Sequence, residues 1–460
     1  MRAADLSPAL VARLAVPGPR YTSYPPANVW TELGPDVYGA ALAAAGPGEV
    51  AVSLYVHVPF CRLRCWYCGL NVSGTRSHAT IGRYCDAVVE EAVRVQAGAG
   101  GRLRAIEVAW GGGTPTSLEP EEIARLASGV ARAIPLLPGA RMSVEVDPRV
   151  TTAEKLRALA AAGFRRVSIG VQDLDAAVQS AAGRVQSEEE SRRCLEEARA
   201  AGFEGANVDL MYGLPLQRAA QLRETVRRVL AWDPQRVSLF GYAHLPERFA
   251  NQRRIDGAAL PGPLERLDLL LSAAEELDSA GYHWVGLDHF VRADDELWRA
   301  HLAGRLGRTF MGYVPGRPGP LVGLGASSIG EVGGTFVQNE RDTEAYVARI
   351  EAGTLATARG WRKSADDALR ADVIEQLMCN LRVDLASMAA RHGANVALFG
   401  PALRALEPLA ADGIVRVEGA RVTVTPRGRL FLRNVCMVFD AHRVAPAVAA
   451  GVPATQTSTV

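Results

Sequence analysis

Lysine is almost missing from this chain. Lys155 and Lys363 are the two lysines among 51 cationic residues, and against 50 acidic residues they leave a formal charge of +1. So even a balance exerts no general pull on nucleic acid or on an anionic membrane. The arginine and alanine skew reads as the mark of a GC-rich genome rather than of a phosphate-binding surface. No apolar run approaches the roughly 20 residues of a bilayer-crossing helix, and the N-terminus lacks the charged-then-apolar pattern of a secretion signal. Membrane and nucleic-acid partners are therefore not expected, and the compartment is read as cytoplasmic. Seven cysteines in 460 residues, unevenly placed, are too few for a secreted disulfide scaffold. Cys85, Cys194, Cys379 and Cys436 stand singly in helical or apolar contexts, where a buried structural thiol is the default.

The other three cysteines are bunched. Cys61, Cys65 and Cys68 form a C-x3-C-x2-C cluster directly after an apolar run, and no fourth cysteine lies near that loop. Three thiolates hold a metal centre but leave one position open. An iron–sulfur cube is normally held by four thiolates, so a cube held by three has one iron free to bind something else. On spacing alone, a zinc site completed by a distant histidine and a redox pair with a spectator thiol both stay open.

The remaining composition, 48% apolar, is that of an enzyme-sized globular chain. Six short apolar runs, at 50–58, 105–110, 142–146, 166–170, 206–211 and 236–241, alternate with helix-like segments. That alternation predicts an α/β fold with a parallel sheet and crossover helices, curved into a full or partial barrel. Ala162-Gly163-Phe164, Ala201-Gly202-Phe203 and Ala280-Gly281-Tyr282 each read as a helix stopped by a left-handed glycine. Thr151 and Glu154 suggest a capping box for the helix ending in the first of these. The stretch 304–334, rich in glycine and proline, reads as loops. From Ser364 the pattern is helix, helix, then a hairpin at 414–425 around Glu418-Gly419, then a helix through Arg433. This resembles a winged-helix unit, but without a basic stripe a covering role is expected rather than DNA binding. Residues 445–460 read as a frayed tail. The division expected is an arm at 1–45, a barrel at 46–300, and a lid at 301–460 with its winged-helix-like part at about 364–440.

In a barrel, chemistry collects at the C-terminal strand ends, and here unusual residues follow every predicted strand. The cysteines follow the first and Gly111-Gly112-Gly113-Thr114-Pro115 the second; Glu145 and Asp147 end the third. Gln172 and Asp173 follow the fourth, Asp209 lies in the fifth, and Tyr242 and His244 follow the sixth. The glycines would let backbone approach an amino-carboxylate closely. Glu145 could accept from vicinal ribose hydroxyls, or simply pair with an arginine. Asp209, in an apolar strand, needs a partner. His244 and His289 are acid–base or hydrogen-bonding candidates, and Gly323, Gly325 and Gly330 mark a further close-approach loop.

These residues carry a resemblance. Cys61-Arg-Leu-Arg-Cys65-Trp-Tyr-Cys68 and Gly111 to Pro115 are similar to two signatures of the radical S-adenosylmethionine superfamily. Pro19-Arg-Tyr-Thr-Ser-Tyr-Pro25, Leu54-Tyr-Val-His-Val-Pro-Phe60, Ser168-Ile-Gly-Val-Gln-Asp173, Tyr212-Gly-Leu-Pro215, Tyr242-Ala-His-Leu-Pro246, Asp288-His-Phe290 and Arg433-Asn-Val-Cys-Met-Val-Phe-Asp440 resemble the oxygen-independent coproporphyrinogen III oxidase family.

The resemblance implies a partial (β/α)6 barrel holding a [4Fe–4S] cluster on Cys61, Cys65 and Cys68, with two S-adenosylmethionine molecules. The first would meet Tyr55, Gly112, Glu145 and Ile329; the second Tyr67, Gly113, Thr114, Gln172, Arg184, Asp209 and Ala243. The implied reaction is oxidative decarboxylation of two propionates to vinyl groups, giving protoporphyrinogen IX. A 5'-deoxyadenosyl radical starts it, and a reductant such as flavodoxin or ferredoxin supplies the electron. A small-molecule tetrapyrrole substrate and a monomeric state are expected, and Arg20 and Arg76 lie near the right motifs to meet substrate carboxylates.

One departure stands out. Family members usually read C-x3-C-x2-C-x-C, and this chain has Leu70 at the fourth thiol's place. That thiol is not a cluster ligand in the family pattern, so cluster binding should survive. Leu70 is either packing drift or the sign of another outcome: methyl transfer or cyclopropane formation from the second S-adenosylmethionine in a natural-product pathway. A haem-binding or chaperone relative is a third reading. Such relatives are shorter and lack the Arg-Tyr-Thr-Ser-Tyr-Pro segment.

Overall fold

The computed structural model describes residues 5–75, 77–443 and 457–460. Each of the six predicted runs lies within a strand: β1 Val50–Val58, β2 Leu103–Gly112, β3 Leu136–Val146, β4 Arg166–Gln172, β5 Gly205–Tyr212 and β6 Arg236–Gly241. They pair in chain order, all parallel. The connecting segments include the helices His78–Gly98, Pro120–Ala133, Ala153–Ala161, Glu188–Ala200 and Ala219–Leu230. The predicted glycine stops hold, with φ of +103° at Gly163, +99° at Gly202 and +82° at Gly281. The capping box does not. Thr152 caps the helix Ala153–Ala161 by accepting from the Lys155 amide, while the Thr151 hydroxyl turns back to the Asp147 carbonyl at 2.8 Å.

Because successive side chains alternate across a strand, the sheet has two unlike faces. Val108 and Trp110 on β2 and Val208 and Leu210 on β5 are buried in the apolar core. Their neighbours, Glu107, Ala109, Asn207 and Asp209, line the lumen with Ser143, Ser168 and Ser238. A cavity of about 420 Å³ remains there. Its floor is closed by ion pairs of Arg141, Arg166 and Arg236 with Glu107, Asp295 and Glu296.

The sheet continues beyond the six strands and beyond residue 300. His289–Arg292 and Tyr282–Val285 extend it past β6. Leu321–Leu324, Ile329–Val332, Thr335–Asn339, Thr357–Arg362 and the short Thr31–Glu32 extend it past β1, making thirteen strands. The stretch 304–334 is thus not merely loops. Its strands are three or four residues long, too short for alternation to register in the sequence. One pair of them, Gly307–Thr309 with Gly312–Val314, forms a hairpin that reaches from β1 to the strand His289–Arg292 added past β6. Phe310 meets Tyr55 of β1 edge-on at 6.1 Å, and Tyr313 meets His289 at 5.1 Å.

The C-terminal region is mainly helical, with Ala365–Asn380, Leu385–Arg391 and Gly400–Ala411 against a three-stranded sheet that contains the expected hairpin. Both chain ends meet over the barrel. The Tyr21 hydroxyl donates to Asp440 at 2.9 Å, the Arg433 Nε to the Pro19 carbonyl at 2.9 Å, and the Ala441 amide to Tyr24 at 2.9 Å. Most of the expected frayed tail, 444–456, lies outside the described residues. Its end is not frayed: Thr457–Ser458 pairs antiparallel with Pro17–Gly18, and Val460 is buried.

Glu91 ties the first crossover helix to the added strands. It is fully buried and accepts from the Gly325 amide and the Tyr346 hydroxyl, each at 2.7 Å, and from Asn339 at 2.5 Å. Glu91→Ala strands these buried donors and should cost on the order of 3 kcal/mol in denaturant unfolding; a loss under about 1 kcal/mol would show that the knot does not hold the strands.

Candidate active site

The cysteine loop leaves β1 and is pinched at its neck by hydrogen bonds from Cys61 N to Ser73 O at 3.0 Å and from Ser73 N to Pro59 O at 2.7 Å. Its shape is set from far along the chain. Asn251 Nδ2 donates to the carbonyls of Cys65, Trp66 and Cys68 at 2.9 to 3.2 Å, and Gln252 Nε2 to that of Tyr67 at 2.8 Å. Held in this way, the three cysteines line one cavity of about 710 Å³.

Each sulfur has a polar neighbour. Cys61 Sγ lies 3.1 Å from Thr114 Oγ1, and the Leu70 amide donates to Cys68 Sγ at 3.4 Å. Two guanidiniums, Arg184 at 3.3 Å and Arg149 at 3.4 Å, converge on Cys65 Sγ. Both also bind Asp147, at 3.2 and 2.6 Å. Burial works against the Asp147 carboxylate, but Arg184 and Arg149 outweigh it and hold the carboxyl below its usual range. Burial raises the Cys61 thiol and pushes Cys68 up to about 11, so incoming metal must displace protons. Among the described residues no three His, Cys, Asp or Glu side chains are grouped to hold a single metal ion. A cube held by three thiolates carries net negative charge, and the donors aimed at these sulfurs suit it.

The opposite walls come from the strand ends. A Cβ at Gly113 would meet the Pro59 backbone carbonyl at 2.5 Å, so packing alone demands glycine there; at Gly111 the neighbour is the Glu145 carboxylate at 2.8 Å, a side-chain end. Glu145 accepts from the Gly112 amide at 3.3 Å. Burial, and then the Asp209 charge, push its carboxyl up to about 7. Asp209 accepts from Ser168 at 2.8 Å and Asn207 at 2.7 Å, and burial still raises its carboxyl. Gln172 holds a left-handed backbone, φ +71°, rare for a non-glycine residue.

Tyr67, Gly112, Gly113, Thr114, Glu145, Gln172, Arg184, Asp209 and Ala243 share the cysteine cavity. Tyr55 lines the lumen cavity, which merges with it: Leu70, Gly112, Glu145, Ser168 and Asp209 border both. Ile329 borders neither. It packs with Trp30 and Phe336, and its backbone lies where a Cβ on Gly323 would go. Asp173 is structural, accepting from Gln217 and Thr225. His244 bonds the Tyr242 hydroxyl at 2.8 Å, and His289 bonds Asp288 at 2.7 Å beside the lumen. The Gly323–Gly330 loop approaches protein rather than a ligand, since the Gly325 amide is taken by Glu91.

Sequence reasoning missed Arg149, Asn251, Gln252 and the lumen set Ser168, Asn207 and Ser238. For the lumen set a signal existed, polar residues at alternate positions of apolar strands. For Asn251, some 180 residues from the loop it shapes, there was none.

Residues 55–229 match the radical SAM superfamily and residues 364–431 the HemN C-terminal domain. Oxygen-independent coproporphyrinogen III oxidase of Bradyrhizobium diazoefficiens is 41% identical over 424 residues, covering 92% of this chain and 94% of its own. The same-named protein of Escherichia coli K12 is 40% identical over 95% of this chain and 96% of its own. The solved E. coli coproporphyrinogen III oxidase (HemN), described as a radical SAM enzyme, superposes with a TM-score of 0.89 at 39% identity, covering 95% of this chain and 99% of that one.

Between its unfolded value of 4.5 and about 7, Glu145 is protonated when folded and ionised when unfolded. Unfolding then releases a proton, so this group lowers stability as pH rises through that window. Glu145→Gln should gain on the wild-type apoprotein steadily from pH 4.5 to about 7 and by a constant margin above. Urea midpoints across this range measure it; a pH-independent difference would contradict the shift.

Proposed function

The chain belongs to the oxygen-independent coproporphyrinogen III oxidase family of the radical SAM superfamily, and from that membership we propose that it oxidatively decarboxylates coproporphyrinogen III to protoporphyrinogen IX. The observation that carries this reading is the likeness to the E. coli enzyme along nearly the whole of both chains. Methyl transfer, cyclopropane formation and haem delivery have no comparable support.

Cys61, Cys65 and Cys68 would hold the [4Fe–4S] cluster, and two S-adenosylmethionine molecules would occupy the merged cavities. When bound, cluster and S-adenosylmethionine supply a 5'-deoxyadenosyl radical able to take a hydrogen atom from a propionate β-carbon. The chain's own share is positioning and exclusion. Arg149 and Arg184 orient Cys65 and offset negative charge. Asn251 and Gln252 fix the loop that carries the thiols. Glu145 and Asp209, on the lumen wall, accept hydrogen bonds and balance cationic ligand groups. Tyr55, Tyr67, Gly112, Gly113, Thr114, Gln172 and Ala243 shape the rest; Ile329 acts through Gly323, the register partner of Tyr55. The hairpin at 307–314 and the arm keep water from the reacting centre.

An arm at 1–45, a barrel at 46–300 and a lid at 301–460 describe the division of labour, with sheet strands shared across both boundaries. The enzyme works as a monomer in the cytoplasm, draws its electron from a flavodoxin or ferredoxin, and has no nucleic-acid partner. Among the described residues no helix is long and apolar enough to cross a membrane.

After anaerobic cluster reconstitution, mass spectrometry should find protoporphyrinogen IX, methionine and 5'-deoxyadenosine. Cys61→Ala should abolish all three, a loss of at least about a thousandfold. Steady cleavage of S-adenosylmethionine beside an unchanged tetrapyrrole would refute the assignment, and a methylated or cyclopropanated product would replace it.

A further inference from the structure

Five arginines border the lumen cavity: Arg20, Arg141, Arg166, Arg236 and Arg308. Three are spoken for, since Arg141, Arg166 and Arg236 form the ion-paired floor with Glu107, Asp295 and Glu296. Arg20 and Arg308 stand elsewhere, at the open side of the barrel, and among the described residues no salt bridge is formed by either. Their hydrogen bonds go to carbonyls: Arg20 Nη2 to Gly241, and Arg308 Nη1 to Arg20 itself at 3.1 Å. The Arg308 Nε is shut away from solvent and has no acceptor among the described residues. Asp288, one of the carboxylates lining this cavity and the one whose charge both arginines feel, is bonded to His289 Nδ1 at 2.7 Å. The Tyr313 ring lies under the Arg308 guanidinium at 5.2 Å and Glu375 takes the Arg308 backbone amide, but neither gives the side-chain Nε an acceptor. The Arg308 fork is therefore left with an unpaired donor, which a ligand carboxylate would satisfy.

The position says what the anion is. Arg20 borders both merged cavities, and Arg308 borders the lumen and a further cavity of about 270 Å³ on the other side of the hairpin. A substrate reaching from the cysteine wall across Glu145 would pass between them. We infer that Arg20 and Arg308 form a seat for a substrate carboxylate away from the reacting one, so that this pair, and not the floor arginines, sets the orientation of a polycarboxylate porphyrinogen. This rests on the reading of the substrate given above. Guanidinium offers paired, charge-assisted bonds to carboxylate. Because Arg308 also holds the Arg20 carbonyl, filling the seat couples the arm to the hairpin.

The test compares wild type with Arg308→Gln and Arg308→Lys, and separately with Arg20→Gln, as reconstituted enzyme for turnover and as apoprotein for binding. Arg308→Gln should raise KM for coproporphyrinogen III by about 10- to 100-fold with a smaller change in kcat. Arg308→Lys should recover part of the loss. Equilibrium binding of coproporphyrin III to the apoprotein, followed by porphyrin fluorescence, should weaken by a similar factor. Wild type should bind the tetramethyl ester far more weakly than the free acid, and Arg308→Gln should lose most of that preference. Cluster absorbance and the unfolding midpoint should stay near wild type. Unchanged KM and unchanged ester discrimination in both glutamine variants would overturn the seat while leaving the reaction intact. Loss of the cluster or of the fold with intact ester discrimination would make Arg308 merely a strut, which also overturns it. Failure of the wild type itself to turn over the porphyrinogen would instead refute the substrate reading.

Discussion

Asp209 faces the lumen with its oxygens taken by Ser168 and Asn207, and Glu145 stands near enough for its own carboxyl to feel that charge. Putting two carboxylates inside a barrel is expensive, and the chain meets the cost in two ways. Asp209 is given donors, and Glu145 is left with one weak donor and a proton near neutrality. A cationic, hydroxyl-bearing ligand would relieve both at once. The polar lumen is the constraint from which the remaining architecture follows, because such an interior must be sealed from bulk water to act on its contents and must still admit them.

Six parallel strands cannot close around it. Strands added past β1 and β6 lengthen the wall, and the hairpin at 307–314 bridges β1 through Phe310 to the strand His289–Arg292 through Tyr313. The Tyr313 ring takes space that only a glycine at 286 leaves free. The two chain ends complete the cover. Tyr21 to Asp440 and Arg433 to Pro19 join an N-terminal phrase to a C-terminal one across some 400 residues. These contacts account for part of what makes those two phrases distinctive: Pro19 and Tyr21 fit Arg433 and Asp440, while Arg20 between them faces the cavities.

What was legible in the sequence was whatever has a local cause. The six barrel strands are long enough for apolar runs to show, and glycines that stop helices declare themselves by position. The three cysteines and the residues at the strand ends are ordered by the same topology that orders the strands, so most of them come to line one cavity. Thr152 displaced Thr151 as cap because Thr151 had a better partner in the Asp147 carbonyl, a competition invisible without the turn. The short added strands, the Asn251 clasp and the Arg149–Asp147–Arg184 triad come from contacts between distant segments, which no window along the chain can contain.

Leu70 sharpens the link between loop and substrate. Its contact with the cluster site is made by its backbone amide, which donates to Cys68 Sγ, and any residue other than proline supplies that. Its side chain is 53% exposed, and the exposed surface borders both merged cavities. The leucine therefore leaves the electrostatics of the sulfurs untouched and changes only the wall that a substrate meets. A thiol there could exchange a hydrogen; a branched alkyl group cannot, and it presents apolar surface to a flat, largely apolar macrocycle. A carboxylate seated at Arg20 and Arg308 would leave the exposed Leu70 side chain, on the shared border of the two cavities, to meet the face of the macrocycle.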